Sequence, residues 1–161
     1  MTICSKASGV VAVTGHQSER VHEALAGLEL DMINNPHFAD GLSSSLKAGI
    51  AKVPETAAGA MIVLGDMPGV SSADIDQLIE AFRKCGGKAV VRASYGGKRG
   101  NPVILPRSLF AAVAELEGDT GARHLVESEG PDVVDIEIGP AAAVDVDTPE
   151  ALAKAGGILQ G

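Results

Sequence analysis

The stretch Ala60-Met61-Ile62-Val63-Leu64-Gly65-Asp66-Met67-Pro68 decides the fold. Five consecutive apolar residues, two of them β-branched, predict a short strand buried on both faces, the kind found in a sheet covered by helices. Gly65 and Pro68 end it, and the period then changes. Ile75, Leu78, Ile79 and Phe82 recur at helical spacing and predict a helix over 71–84 with these four as its buried stripe. Ser71 and Asp74 approximate a capping box at its start, and Gly86-Gly87 closes it.

Working outward, the same alternation repeats. Toward the N-terminus, Val10-Val11-Ala12-Val13-Thr14 reads as a buried strand, and 18–28 as a helix with Val21, Leu25 and Leu28 on its inner face. A strand over 31–34 and a helix over 43–53 follow. Toward the C-terminus, strands over 88–93 and 102–105 flank a loop at 94–101, and helices cover 107–116 and 121–129. Strands follow over 133–138 and 144–146. Thr148-Pro149-Glu150 starts a final helix, with Thr as N-cap and Pro in the first position. Strands alternating with helices predict a three-layer α/β fold with a mostly parallel sheet, here one domain over 1–161. Ligands of such sheets bind beyond the carboxyl ends of the strands, so the residues just after strand ends are the candidates for function.

Composition narrows the partners. Lys and Arg total 13 against 21 Asp and Glu, a formal charge of −8. Non-specific nucleic-acid or anionic-membrane binding needs the opposite balance. With no Trp, one Tyr and three Phe, the chain also lacks stacking platforms for bases of single strands. Cys4 and Cys85 are far apart, with no ligand-spaced His or Cys near either, and read as free thiols of a reducing compartment. No secretory leader and no run of about 18 apolar residues is present. A cytoplasmic location is the expectation.

Five constellations sit at or near strand ends. Asp66 leaves an apolar strand behind a glycine, where its carboxylate suits a hard cation such as Mg²⁺, or caps the following turn. Asp145 and Asp147, two apart, face one side if they lie on a strand; alternatively Asp147 helps start the helix after Thr148. Asp-x-Asp-x-Thr is the haloacid dehalogenase signature, but here Thr148 comes one residue early and the motif lies at the wrong end of the chain. Gly41-Leu42-Ser43-Ser44-Ser45-Leu46 opens a helix, as a site for phosphate or polar base edges, or as a plain serine cap. It is not a Walker-type loop, because Gly-Lys-Ser/Thr is absent. Arg92, Lys98, Arg99 and Arg107, with Gly96, Gly97 and Gly100, suit a mobile anion-gripping loop or a solvated hairpin tip. Gly118-Asp119-Thr120-Gly121-Ala122-Arg123 either holds an anion or is a capped loop. His16, His22 and His37 are scattered and read as structural, and no nucleophilic triad is visible.

Taken in order, Val13-Thr14-Gly15-His16, Asn35-Pro36, Gly41 to Leu46, Leu64 to Pro68, Gly100-Asn101-Pro102-Val103, Gly118 to Arg123 and Asp145 to Glu150 resemble the molybdenum cofactor nucleotidyltransferase family, most of all its molybdopterin cytidylyltransferase branch. The resemblance runs from about Val10 to Leu152. It implies a Rossmann-like nucleotidyltransferase fold and transfer of a nucleotide monophosphate from CTP or GTP to molybdopterin, with Mg²⁺ and release of pyrophosphate. It puts Asp66 at the metal-binding aspartate and Asp145, or Asp147, at the second acidic position. Gly41, Ser43, Ser44 and Ser45 then belong to the nucleotide side, Asn101, Pro102, Gly118, Asp119, Gly121 and Arg123 to the acceptor side, and Gly65 counts among the binding residues. The family's first strand and its loop Leu-Ala-Ala-Gly-x-Ser-x-Arg-Met-Gly have no counterpart in these 161 residues, and Ser5 to Val10 read as the tail of the helix after that loop. The expectation is a sheet without its first strand, an open edge inviting self-association, and weak turnover by this chain alone. Two other readings stay open. One is a non-catalytic module that binds the cofactor for a molybdenum hydroxylase, and the other is transfer to a different phosphorylated acceptor.

Overall fold

A computed structural model describes residues 4–128 and 130–143. Two sheets lie in one α/β framework. Strands β1 (Val11–Thr14) and β2 (Asp31–Asn34) pair in parallel, joined through helix α1 (Ser18–Leu25). A four-stranded sheet has the order β3-β5-β4-β6, from β3 (Gly59–Ile62), β4 (Val90–Tyr95), β5 (Lys98–Pro106) and β6 (Val133–Glu137). Among the described residues no ladder joins β1 to β3. The expected strand at 144–146 and the helix from Thr148 lie outside the described residues.

The larger sheet is mixed rather than mostly parallel. β4 and β6 run parallel, but β5 is antiparallel to both of its neighbours. The cause is local. The expected loop at 94–101 is a hairpin, in which Gly96 and Gly97 are the whole turn, at φ 58° and 75°. Two successive positive φ values match the right-handed twist of the flanking strands, and two residues can only reverse the chain.

Helices cover both faces. Strand alternation sends Val90, Val103 and Leu105 to one side, where they meet Leu46 of α2 (Leu42–Ile50), Val113 of α4 (Phe110–Ala114), and Leu125 and Val126 of α5 (Ala122–Ser128). Val91, Ala93 and Ile104 point the other way, against Leu78 and Phe82 of α3 (Ser72–Lys84). The anticipated stripe on α3 is present, with Ile75, Leu78 and Phe82 buried, and so is its capping box. The Asp74 N–H donates to Ser71 Oγ at 3.2 Å, and the Ser71 N–H donates to Asp74 Oδ2 at 2.9 Å.

Two expectations fail toward the N-terminus. The inner face assigned to α1 is not buried, since Val21 and Leu28 are both exposed and α1 buries no residue. Ser5 to Val10 form no helix. That segment lies along α3 instead, where the Lys6 N–H donates to Asp76 Oδ1 at 2.6 Å and the Lys6 ammonium pairs with Glu80. The hydrogen bond and charge of Lys6 hold the Glu80 carboxyl below its ordinary value, and the same pair raises Lys6.

Leu105 is fully buried near the end of β5. Leu105→Ala is expected to lower unfolding free energy by about 2–5 kcal/mol through lost transfer energy and a residual cavity, as read by urea denaturation. Because Glu80 is depressed and Lys6 raised, the Lys6–Glu80 pair persists across neutral pH. It is lost as pH falls through the Glu80 value or rises through that of Lys6. Amide exchange at Lys6 is expected to quicken at both extremes beyond the intrinsic pH dependence, and already at neutral pH in Glu80→Gln.

Candidate active site

The sequence-nominated segments meet along one rim, and glycines make the meeting possible. Gly41, at φ 105°, precedes α2, and a Cβ there would lie 2.4 Å from the Gly118 carbonyl carbon and oxygen. The Gly118 carbonyl accepts from the Ser43 N–H at 3.1 Å, so the turn before α5 caps α2. Gly121 sits against Leu42, with a built Cβ 3.0 Å from the leucine Cδ2. Arg123 on α5 and Arg99 on β5 both bond Glu127. A Cβ at Gly100 would lie 2.1 Å from the Ala142 carbonyl oxygen, and one at Gly69 would lie 3.5 Å from the Ala141 Cβ. Gly69 is three residues beyond Asp66. The chain of contacts therefore runs unbroken from α2 through 118–127 and the start of β5 to the loop after β3.

Register shows which end this is. Ile62 pairs with Val103, so Gly100 and Asn101 extend past the carboxyl end of β3, beside the loop carrying Gly65 and Asp66. β4 and β6 end on the same side. Asp66 is half-buried with its Oδ1 withdrawn from solvent, while Gly65 is exposed. A carboxylate oxygen is a donor that hard divalent cations accept, so Asp66 fits such an ion. Among the described residues no three His, Cys, Asp or Glu side chains cluster, so an ion at Asp66 would find one carboxylate there and no complete cage. Asp145 and Asp147 lie outside the described residues.

Next to Gly118 a cleft of about 500 Å³ opens between the end of β2 and α2, lined among others by Asn35, His37, Ser43, Ser44 and Lys47. Its Ser44 hydroxyl is already engaged. Asn35, 4% exposed, donates from Nδ2 to Ser44 Oγ at 2.9 Å and to Ser45 Oγ at 3.0 Å, and its Oδ1 accepts from the His37 N–H. Ser44 Oγ lies 2.8 Å from the His37 carbonyl and 2.9 Å from that of Gly41, and donates its one hydrogen there. Ser43 is buried. These hydroxyls bind the end of β2 to the start of α2, which shapes the cleft floor. Asn35 is the organiser that residue-by-residue reading of the strand ends overlooked, although its place directly after β2 and before Pro36 was the signal.

Other expectations are redistributed. Pro102 is fully buried in β5, so it does not face the rim's solvent. Asp119 and Gly118 are exposed. The basic cluster splits. Arg92 makes a two-pronged pair with Asp135, at 2.7 and 3.1 Å. Arg107 lies at the far end of β5, donating to the carbonyls of Pro54 and Ala57 and covering the Phe110 ring at 4.8 Å. Eight β-strand residues separate it from Lys98, roughly 30 Å of extended chain. Among the described residues, no helix is long and apolar enough to cross a membrane.

Comparison with known proteins fits this geometry. Residues 2–133 match the model of the MobA-like NTP transferase domain. The molybdenum cofactor cytidylyltransferase of Escherichia coli K12 is 26% identical over 151 residues, covering 93% of this chain and 73% of that protein. Among solved structures, a nucleotidyl transferase from Methanothermobacter thermautotrophicus superposes with a TM-score of 0.78 at 21% identity, covering 93% of this chain and 72% of that one. The protein Rv0371c of Mycobacterium tuberculosis H37Rv, crystallised in complex with manganese, gives 0.75 at 24% identity over 93% and 78%.

Gly41→Ala is expected to cost on the order of 2 kcal/mol or more, because it combines a left-handed φ with a backbone collision. Gly65→Ala, with open space and no positive φ, is expected to stay within about 1 kcal/mol of the parent. Paired thermal melts check the contrast.

Proposed function

Because the chain belongs to the MobA-like NTP transferase domain family, we propose that it transfers a nucleotide monophosphate from CTP to a phosphorylated pterin of the molybdopterin type, releasing pyrophosphate. Membership makes it a nucleotidyltransferase. CTP, the acceptor and Mg²⁺ are the finer reading, supported by the likeness to a molybdenum cofactor cytidylyltransferase and by the motifs in Sequence analysis. GTP is the alternative donor, and the cytoplasm is the compartment this reading implies. The observation that carries it is the convergence of Asp66, the Gly41 helix start, the Gly118–Arg123 turn and the Gly100-Asn101 strand start on one rim.

In this reading Asp66, with Asp145 or Asp147, would hold Mg²⁺, which when bound neutralises charge on the triphosphate. The structural neighbour crystallised with manganese is the ground for expecting divalent-metal use. The chain's own residues orient the partners. The cleft floored by Ser43 and Ser44 receives the nucleotide, with Lys47 available to its phosphates. Asn101, Gly118, Asp119, Gly121 and Arg123 frame the acceptor, whose phosphate oxygen attacks the α-phosphorus. Such transfers need alignment and charge stabilisation more than proton transfer. That no ladder joins β1 to β3 among the described residues is the basis for two further expectations: weak turnover by this 161-residue chain and self-association along those edges.

The test is pyrophosphate release from CTP with molybdopterin and Mg²⁺. Slow release is expected that falls at least about a hundredfold in Asp66→Asn, the scale of removing one charge-stabilising group from such a site. Release unaffected by Asp66→Asn contradicts the assignment. Turnover matching the Escherichia coli relative, assayed alongside, contradicts the expected weakness.

A further inference from the structure

Arg99 and Arg123 come from different elements, β5 and α5, yet both aim at one carboxylate oxygen, Glu127 Oε1, Arg123 from 3.2 Å. The three groups carry a net charge of +1 in a chain of −8. They are open to solvent, with Arg123 70% and Arg99 41% exposed, so a small anion can reach them. Each guanidinium has five N–H donors, and one from each is engaged by Glu127. Their place is also specific. Arg99 precedes Gly100, the residue pressed against Ala142, and Arg123 follows Gly121, which is pressed against Leu42. The pair thus lies midway on the rim between the start of α2 and the Asp66 loop. Arg92 and Arg107, by contrast, are committed to Asp135 and to backbone carbonyls.

We propose that Arg99 and Arg123 grip the phosphomonoester of the acceptor, and that Glu127 occupies their donors in its absence and is displaced when the phosphate arrives. This rests on the reading above that the acceptor is phosphorylated. Charge selects the ligand. Two guanidiniums match a phosphomonoester dianion, whereas a triphosphate carries about twice that charge and calls for more cations than this pair supplies. Hydrogen bonds from Arg123 and then Arg99 hold the Glu127 carboxyl below its ordinary range, so the internal anion is charged at neutral pH and competes with the external one. A surface carboxylate paired only for stability would not compete in this way, and the sign of its removal separates the two roles.

The experiment follows the Arg Nε–H resonances of the full 161-residue chain by NMR during titration with inorganic phosphate, glycerol phosphate, pyrophosphate and CTP without metal. The Arg123 signal is expected to move with phosphate and glycerol phosphate. Glu127→Gln is expected to tighten both about tenfold, and Arg99→Gln or Arg123→Gln to weaken them about tenfold, the scale of one charge-assisted hydrogen bond. Glu127→Gln leaving affinity unchanged or weaker overturns the proposal. So does an Arg123 signal that ignores the monoesters, or that answers only CTP and pyrophosphate. Asp66→Asn is expected to leave these shifts intact. If they appear while Asp66-dependent nucleotide binding does not, the grip stands and the transferase assignment fails.

Discussion

The reversal at Gly96-Gly97 governs the molecule. It folds β5 back between β3 and β4, so the longest strand runs antiparallel through the sheet and supplies both layers of core, Val103 and Leu105 to one and Ile104 to the other. The same reversal brings the first residues of β5, Arg99, Gly100 and Asn101, to the carboxyl end of β3, where Asp66 emerges. A crossover connection would have made β5 parallel to β3 and carried those residues to the opposite end of the sheet. Side chains at the site are therefore placed by a turn that touches none of them.

Close backbone approach then ties the rim together. Gly41 against Gly118 and Gly100 against Ala142 are contacts that no side chain allows, and each joins segments tens of residues apart. They leave an arc of polar and charged groups on an otherwise acidic protein, with Arg99 and Arg123 between the α2 start and Asp66. That is the distribution an enzyme needs when its substrates are anionic and its chemistry is alignment of phosphates.

Much of this was legible in order of residues. The alternation of apolar runs and helical stripes identified α3 with its buried face and capping box, and β2 at its observed bounds, because those signals are local. Direction of pairing was less legible. The pair Gly96-Gly97 marks a two-residue hairpin, but embedded in a glycine-rich stretch it reads equally as a long loop. Helix α1 shows the reverse error: Val21, Leu25 and Leu28 have the right spacing for burial, yet periodicity says only that a face exists, not that something covers it. At the site, motif order located the rim but not its wiring. Residues 43–45 read as ligand donors, while the structure spends two of their hydroxyls on Asn35. Glu127, one turn from Arg123 on α5, was legible as its partner, whereas the arrival of Arg99 from β5 at the same carboxylate was not.

The central claim is that this rim binds a metal–nucleotide complex through Asp66. Isothermal titration of the chain with CTP and with GTP, each with and without Mg²⁺, tests it directly. The account predicts Mg²⁺-dependent binding, tighter for CTP than for GTP, that disappears in Asp66→Ala. Binding that is indifferent to Mg²⁺ and survives Asp66→Ala, or no binding of either nucleotide, contradicts it.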